Sequence, residues 1–178
     1  MNDILVTGGT GFVGSHMIDY ILKYAIRPEQ KIYCTKRWLE DTKNVDHIDD
    51  KRFQFIDCDF NDAPSVYRAI EISKPEKVFH FAAQSFPEVS FHTPATTLQT
   101  NTLGTTYLLE AIRNSDCDPV IVSVSTSEVY GMPEEDEIPI KETNPIRAAN
   151  PYSISKVGHD LMSQYYHKAY GMKIIVTR

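Results

Sequence analysis

The chain lacks the segments and residue sets that mark membrane, secreted and nucleic-acid-binding proteins. No apolar run approaches the roughly 20 residues of a bilayer-spanning helix, and no charged segment followed by an apolar run opens the chain. Its three cysteines are scattered and odd in number, and its six histidines follow no metal-ligand spacing. With 18 Lys and Arg against 24 Asp and Glu, the net charge is −6, which attracts neither nucleic acid nor an anionic membrane. We expect a cytoplasmic protein with no metal site and with neither nucleic acid nor a membrane as its partner.

A length of 178 residues suits one domain with a sizeable core. Apolar and β-branched runs that predict strands alternate with amphipathic stretches that predict helices. The predicted strands are 4–6, 31–34, 53–60, 77–81, 120–124 and 172–177, and the main predicted helices follow Gly14 and span about 62–74, 97–114 and 151–169. Residues 86–94 and 132–145 are predicted loops, the second acidic, proline-rich and solvated. This alternation predicts an α/β fold with one doubly wound parallel sheet and helices on both faces.

A glycine-rich loop separates the first predicted strand from the first predicted helix. Glycines at its three key positions would allow a sharp turn, close approach to a pyrophosphate and tight packing of helix on strand, while the helix N-terminus offers free N–H groups to the anion. Plain turns also use glycine, but this location favours a Rossmann-type dinucleotide site. Its predicted residues are Gly8, Thr10, Gly11, Phe12, Val13 and Gly14.

A carboxylate is missing where an NAD-binding unit would carry one. About 20 residues past the glycine motif, an Asp or Glu is expected on the ribose 2′-hydroxyl, but this chain has Thr35, Lys36 and Arg37 there. Cations suit a 2′-phosphate, so we predict NADP as the cofactor, with Arg37 on its phosphate. The alternative is that Lys36 and Arg37 are solvated loop charges.

The ends of the third and fourth predicted strands add further cofactor candidates. Asp59 could reach an adenine amino group, although a turn or cap role fits it nearly as well. Small residues at Ala82 and Ala83 would let a ligand approach, or would serve tight packing equally. The predicted cofactor residues here are Asp59, Phe60, Phe81, Ala82 and Ala83, and Ser85 is a predicted substrate residue. Asn101 is a polar residue within a predicted helix that could order a water or a neighbouring strand, or lie on the surface.

Two clusters of reactive side chains follow, at residues 125–131 and 150–156. Asn150 is a good N-cap and Pro151 suits the first helical position, so a helix should place Tyr152 and Lys156 on one face. A nearby ammonium would favour the phenolate and bring Tyr152 closer to use as a general base. An ordinary amphipathic pair shows the same spacing, and the preceding Thr126 and Glu128 give it weight.

The order of these motifs resembles the extended short-chain dehydrogenase/reductases that modify nucleotide sugars. Within that group the chain looks most like the GDP-mannose 4,6-dehydratases and the related GDP-4-keto-6-deoxymannose reductases. The stretches that carry the resemblance are Gly8 to Gly14, residues 81–85, 89–91, 101–105, 125–131 and 138–142, and Tyr152 with Lys156. Ser127 stands where dTDP-glucose 4,6-dehydratases typically carry Asp, which favours a GDP-hexose.

The resemblance implies a role for each candidate catalytic residue. Tyr152 would accept the proton of the sugar 4-hydroxyl as hydride leaves carbon 4 for NADP, and Lys156 would keep the phenol acidic and hold the nicotinamide ribose. Thr126 would hydrogen-bond the forming carbonyl oxygen of the substrate. Glu128 would remove the proton from carbon 5, water would leave from carbon 6, and hydride would return there. Reductases, epimerases and decarboxylases of the same family, and a non-catalytic NADP-binding module, remain alternatives.

The resemblance also bears on domains and assembly. Family members continue into a smaller domain that grips the nucleotide sugar, so residues 1–178 are expected to form the NADP-binding domain with the catalytic residues, and the sugar-binding domain is expected to be absent from this chain. Relatives pair through helices that match residues 98–112 and the helix after Tyr152. A homo-oligomer is therefore expected.

Overall fold

A computed structural model describes residues 3–178 and contains one six-stranded parallel sheet flanked by helices. The strands are β1 (Asp3–Thr7), β2 (Ile32–Lys36), β3 (Phe53–Asp57), β4 (Pro75–His80), β5 (Val120–Val124) and β6 (Ile174–Thr177). The helices are α1 (Phe12–Tyr20), α2 (Ala63–Ser73), α3 (Pro87–His92), α4 (Pro94–Leu98), α5 (Gly104–Arg113) and α6 (Pro151–Tyr170). π-helical turns at Ile21–Ala25 and Gln99–Leu103 extend α1 and join α4 to α5, and short 3₁₀ turns lie at Ser127–Tyr130 and Glu135–Glu137.

The strand order is β3-β2-β1-β4-β5-β6, with every neighbouring pair parallel. This order reverses between β1 and β4, and in such sheets the ligand crevice lies outside the carboxyl ends of the strands at that reversal. Thr7 pairs with His80 there. The predicted doubly wound fold with helices on both faces is therefore confirmed.

Alternation along β1 sends side chains into two cores, one on each face of the sheet. Leu5 packs with residues of α2, α5 and α6, whereas Ile4 and Val6 pack with α1 and Val45. All three β1 side chains are completely or almost completely buried. Such burial on both faces explains why the central strands are continuous apolar runs.

Helix starts follow their capping residues. Asp62 accepts a hydrogen bond from the Ser65 N–H at the start of α2, and Asn150 accepts one from the Ser153 N–H at the start of α6. In α6 the Ser153 hydroxyl returns to the Asn150 N–H, which completes a capping box. The predicted starts of both helices are therefore confirmed.

Local boundaries differ from the sequence predictions in several places: β4 is Pro75–His80 instead of 77–81, β6 starts at Ile174 instead of 172, and a 3₁₀ turn lies inside the predicted 132–145 loop. Strand β2 extends to Lys36, β3 ends at Asp57, and a short helix forms at Pro87–His92 inside the predicted 86–94 loop. Pro87 stands at the first helical position, where proline is favoured, and the Ser90 hydroxyl donates to the Pro87 carbonyl within the helix. The predicted helix from 97 to 114 starts earlier and contains the π-helical turn.

Within residues 3–178, no helix is both long enough and apolar enough to cross a bilayer.

Candidate functional site

The glycine loop brings the backbone of β1 against the end of β4. Gly8 has φ +65°, and a Cβ at this position would lie 2.8 Å from the Ala82 nitrogen. Neither the backbone conformation nor the space admits another side chain. The Gly11 N–H closes the turn on the Gly8 carbonyl at 3.1 Å, and Thr10 is buried.

The start of α1 is open to an anion. Gly11 occupies the N-cap and offers no side chain, and no acidic residue lies in the first turn. Phe12 and Val13 are exposed on this first turn. Free N–H groups at a helix start next to a glycine cradle are the arrangement that binds a dinucleotide pyrophosphate. The described residues therefore fit a nicotinamide dinucleotide.

An open cavity of about 440 Å³ lies at the carboxyl ends of β2 and β3, where the adenosine half of a dinucleotide would be expected. Arg37 and Arg68 line it together with Glu40, Asp57 and Asp59. The side chain of Arg37 is 68% exposed. Lys36, in contrast, is paired with Asp57 at 2.8 Å.

The other predicted cofactor residues are less open. The Asp59 carboxylate accepts the Asn61 N–H at 2.8 Å and its side-chain amide at 3.0 Å, so the turn role is present. Phe60 is buried in the core and its ring lies 5.2 Å from that of His80. Phe81, Ala82 and Ala83 are half-buried at the crevice, and Ser85 is exposed there. Cofactor contact by these residues stays a prediction.

The structure brings the four candidate catalytic residues together at the carboxyl end of β5. Thr126 begins the 3₁₀ turn, where its hydroxyl accepts the Glu128 N–H at 3.3 Å. Burial raises the pKa of Tyr152, a hydrogen bond with Thr126 opposes that rise, and the Glu128 carboxylate adds to it. Thr126 and Glu128 therefore both lie close enough to Tyr152 to influence its pKa.

Lys156 contacts the backbone at the end of β5. Its ammonium donates to the Val124 carbonyl at 2.6 Å, and burial lowers its pKa to about 8, partly opposed by Asp160. The pKa of Tyr152 is raised, and Lys156 is not among the causes of its shift. The end of β5 therefore holds a buried ammonium, and the raised pKa of Tyr152 keeps its phenol neutral.

Asn150 connects the two reactive clusters. Its side-chain carbonyl accepts the Ser153 N–H at 2.7 Å, while its side-chain amide donates to Glu128 Oε2 at 3.0 Å. The helix that carries Tyr152 is held at its start by Ser90 as well, whose hydroxyl accepts the Tyr152 N–H at 3.1 Å. Sequence reasoning found Asn150 as a cap but missed its contact with Glu128, because that contact needs the fold.

Asn101 is completely buried, in the π-helical turn at Gln99–Leu103. It exchanges hydrogen bonds with the Gln84 backbone, accepting at 2.8 Å and donating at 3.0 Å, and also donates to the Ser155 hydroxyl at 2.8 Å. Of the predicted alternatives for Asn101, the structure shows an ordering role, on the loop after β4 and on α6. π turns are frequent at functional sites.

A buried chain of hydrogen bonds runs behind the site. Thr7 contacts His80 Nδ1 at 2.7 Å, and Thr105 lies 3.0 Å from His80 Nε2 and 2.8 Å from His159 Nδ1. His159 Nε2 then meets the Ser123 hydroxyl at 2.7 Å. This histidine chain joins β1, β4, α5, α6 and β5, and the histidine spacing in the sequence gives no signal for it.

The comparisons with known proteins agree with this geometry. Residues 5–178 match the family model described as GDP-mannose 4,6 dehydratase. The chain is 35% identical to a dTDP-glucose 4,6-dehydratase from Streptomyces antibioticus, with 99% of the chain and 52% of the relative covered. It is 34% identical to a UDP-glucose 4-epimerase from Streptococcus mutans, with 98% and 50% covered.

The solved structures give the same result. DesIV, a dTDP-glucose 4,6-dehydratase from Streptomyces venezuelae solved with NAD bound, superposes with a TM-score of 0.89 at 32% identity, covering 99% of this chain and 55% of DesIV. The chain therefore spans about half the length of the proteins it matches. With its family-model match, six-stranded sheet and glycine cradle, this chain belongs to the GDP-mannose 4,6-dehydratase family of the extended short-chain dehydrogenase/reductases.

Proposed function

We propose that the protein is an NADP-dependent nucleotide-sugar 4,6-dehydratase that converts GDP-mannose to GDP-4-keto-6-deoxymannose. The observation that carries the proposal is the position of the Glu128 carboxylate. Asn150 holds this carboxylate at the carboxyl end of β5, together with Thr126 and Tyr152. Simple carbonyl reduction needs a proton donor and an orienting hydroxyl, whereas elimination also needs a base for a carbon-bound proton.

The described residues divide the chemistry between them. Tyr152 would accept the proton of the sugar 4-hydroxyl, and Thr126 would donate a hydrogen bond to the oxygen that becomes the 4-ketone. The ketone acidifies the proton on carbon 5, which Glu128 would remove and pass to the hydroxyl that leaves carbon 6 as water. A proton returning to carbon 5, equal to the one that Tyr152 took from the 4-hydroxyl, would balance the return of hydride to carbon 6. A nicotinamide dinucleotide held by the glycine loop would supply the hydride acceptor and donor that this sequence needs.

Lys156 would have a role that its burial supports. Its pKa of about 8 leaves it mostly protonated at neutral pH, and a buried ammonium beside the nicotinamide end of the crevice would favour an ionised phenol once substrate displaces the present contacts. A cation there would also hold ribose hydroxyls.

NADP is supported by Arg37, whose exposed guanidinium lines the cavity near the carboxyl end of β2. DesIV binds NAD. A titration of the purified chain with NADPH and NADH tests this part, with Arg37→Asp as the variant. Selective NADPH binding that weakens in Arg37→Asp supports the proposal, and preference for NADH contradicts it.

A GDP-hexose is supported by the family model and by Ser127, although the two relatives described above are named for dTDP-glucose and UDP-glucose. The test is a product assay with GDP-mannose, dTDP-glucose and UDP-glucose on the whole protein. We expect a 4-keto-6-deoxy product from GDP-mannose. Turnover of dTDP-glucose alone would contradict the GDP assignment and leave the dehydratase assignment in place.

Glu128→Gln separates dehydration from 4-epimerisation, the activity for which the Streptococcus mutans relative is named. We expect this variant to lose at least about 100-fold in dehydration, because no other base would reach carbon 5. Glu135→Gln, in the exposed 3₁₀ turn, is the matched control. Unchanged turnover in Glu128→Gln, with an epimer as product, would exclude the dehydratase.

A further inference from the structure

The cavity that would receive the adenosine half of the cofactor contains an internal competitor for its exposed arginine. Glu40 lies three residues after Arg37, and its Oε2 accepts the Arg37 N–H at 2.7 Å. The same oxygen lies 3.6 Å from Arg37 Nε. The Glu40 carboxylate therefore contacts both the backbone N–H and the guanidinium of Arg37.

The local backbone holds Glu40 in that place. The Glu40 N–H donates to the Arg37 carbonyl at 3.1 Å, which closes a tight turn. Leu39 within this turn has φ +60°, a region that costs a bulky side chain free energy. The Glu40 side chain is 29% exposed, whereas the Arg37 side chain is 68% exposed.

The other cations near the cavity are also engaged. Lys36 is paired with Asp57 at 2.8 Å, and Arg68 makes a long contact of 3.5 Å to the Asp57 carbonyl. Asp59 and Asp62 line the cavity as well. An incoming phosphate would therefore meet a site with several carboxylates, in which the exposed guanidinium of Arg37 is already partnered by Glu40.

We propose that Glu40 occupies the 2′-phosphate position in the free protein and must be displaced when NADP binds, so that this residue sets the selectivity between NADP and NAD. This inference rests on the proposed NADP dependence. A ribose 2′-hydroxyl carries no charge and does not repel the carboxylate. Glu40 therefore weakens NADP binding selectively, and its removal increases the preference for the phosphorylated cofactor.

The experiment compares Glu40→Gln with the unmodified protein in titrations with NADPH and NADH. Trp38 is the only tryptophan of the chain and lines the same cavity, so its fluorescence reports occupancy directly. We expect NADPH to bind about threefold to tenfold more tightly to Glu40→Gln, the range for one partly screened charge. NADH affinity should change by less than about twofold.

Glu76→Gln is the matched control. Glu76 also pairs with an arginine, Arg27, at 2.7 Å. It lies at the amino end of β4, whereas the cavity lies at the carboxyl ends of β2 and β3. Its removal deletes the same charge and should leave the ratio of the two affinities unchanged.

Three results overturn the inference. Weaker NADPH binding in Glu40→Gln would mean that Glu40 orients Arg37 for the phosphate. Selective loss of NADH affinity would mean that Glu40 holds the ribose hydroxyl, and an unchanged affinity ratio would mean that it has no influence. If the unmodified protein prefers NADH or binds neither cofactor, the proposed NADP dependence fails first and this inference fails with it.

Discussion

The two buried histidines have tautomers that their neighbours determine. The Thr105 hydroxyl donates to the Asn101 carbonyl at 2.7 Å, because a carbonyl cannot donate in return. The ring nitrogens that face Thr105 must then carry the protons, namely His80 Nε2 and His159 Nδ1. Burial lowers the pKa of His80 to about 3 and the pKa of His159 well below its ordinary value, so both rings are neutral.

Nitrogen-15 NMR of the imidazoles at neutral pH tests this assignment. We expect His80 as the Nε2–H form and His159 as the Nδ1–H form, with no titration of either ring between pH 5 and 8. His92 is exposed and serves as the internal control. Observing the opposite tautomer of either ring, or a charged ring at pH 6, would contradict the hydrogen-bond assignment.

Asn150 is expected to act on Glu128 separately from its capping role. Ser and Asp are N-caps of similar strength to Asn, but Ser is too short to reach Glu128 and Asp would place a second carboxylate against it. We expect Asn150→Ser and Asn150→Asp to slow elimination by roughly 10- to 100-fold, more so for Asp, with the hydride-transfer step at carbon 4 little affected.

Exchange of the carbon 5 proton with deuterated solvent measures the elimination step, and urea unfolding measures the cap. If hydride transfer and elimination slow equally, or if Asn150→Ser lowers the urea midpoint, then Asn150 has only a structural role. Exchange that survives in Asn150→Asp would show that Glu128 does not need this amide.

At the scale of elements, the contact of α6 with the π-helical turn sets the position of the catalytic helix. A Cβ on Gly158 would lie 2.6 Å from Thr102 Oγ1 and 2.7 Å from its methyl carbon. The Thr102 hydroxyl donates to the Ser155 carbonyl at 2.9 Å. These elements therefore approach as closely as they do because position 158 has no side chain.

Gly158→Ala should destabilise the protein by about 1 to 3 kcal/mol through overpacking, although alanine is the better helix former by about 1 kcal/mol. Urea unfolding measures the loss, and the Gly158→Ala, Thr102→Ala double variant should recover part of it. Stabilisation by Gly158→Ala alone would show that the two elements separate at little cost.

Sequence patterns predicted the start of an element well where a capping residue, a proline or a glycine loop marks it. The cap at Asn150 and the proline after it located the start of α6, and the glycine loop located the turn into α1. The π-helical turn at Gln99–Leu103 gave no such signal, because neither proline nor glycine lies within it. Asn101 was visible as an unusual polar residue, but its partners Gln84 and Ser155 come from distant segments.

The spacing of residues along the sequence did not reveal how burial affects the pKa values in the site. The spacing of Tyr152 and Lys156 predicted a lowered phenol pKa, yet desolvation raises it and lowers that of the ammonium. Glu40 was missed because only the folded turn after β2 brings it back onto Arg37. Distances between side chains from different segments cannot be read from their order in the chain.

For the whole molecule, stability should fall as the pH drops below about 6.5. The unfolded chain protonates His80 and His159 at ordinary histidine pKa values, near 6.5, while the folded chain keeps them neutral. The unfolded state therefore binds more protons, and the free energy of unfolding decreases as pH falls from about 6.5 towards the folded pKa, which is about 3 for His80.

Carboxylates extend the same trend below pH 4.5. Arg113 lowers the pKa of Glu110 to about 2, against the effect of burial, and the Tyr166 hydroxyl assists. Stability from Glu110 is present above its unfolded pKa and is lost towards pH 2.

Urea midpoints at pH 7.5, 6 and 5 measure the contribution of the two buried histidines. A midpoint that stays constant over this pH range would contradict the burial of the two neutral rings.

The orientation of the histidine chain also decides whether it can carry a proton. Thr7 donates to His80, which donates to Thr105, while Ser123 donates to His159, which donates to the same hydroxyl. Relay along a hydrogen-bonded wire requires all donors to point the same way, and here they converge on one oxygen. The histidine chain between the glycine loop and α6 is therefore a proton insulator, which holds five elements together without carrying charge between them.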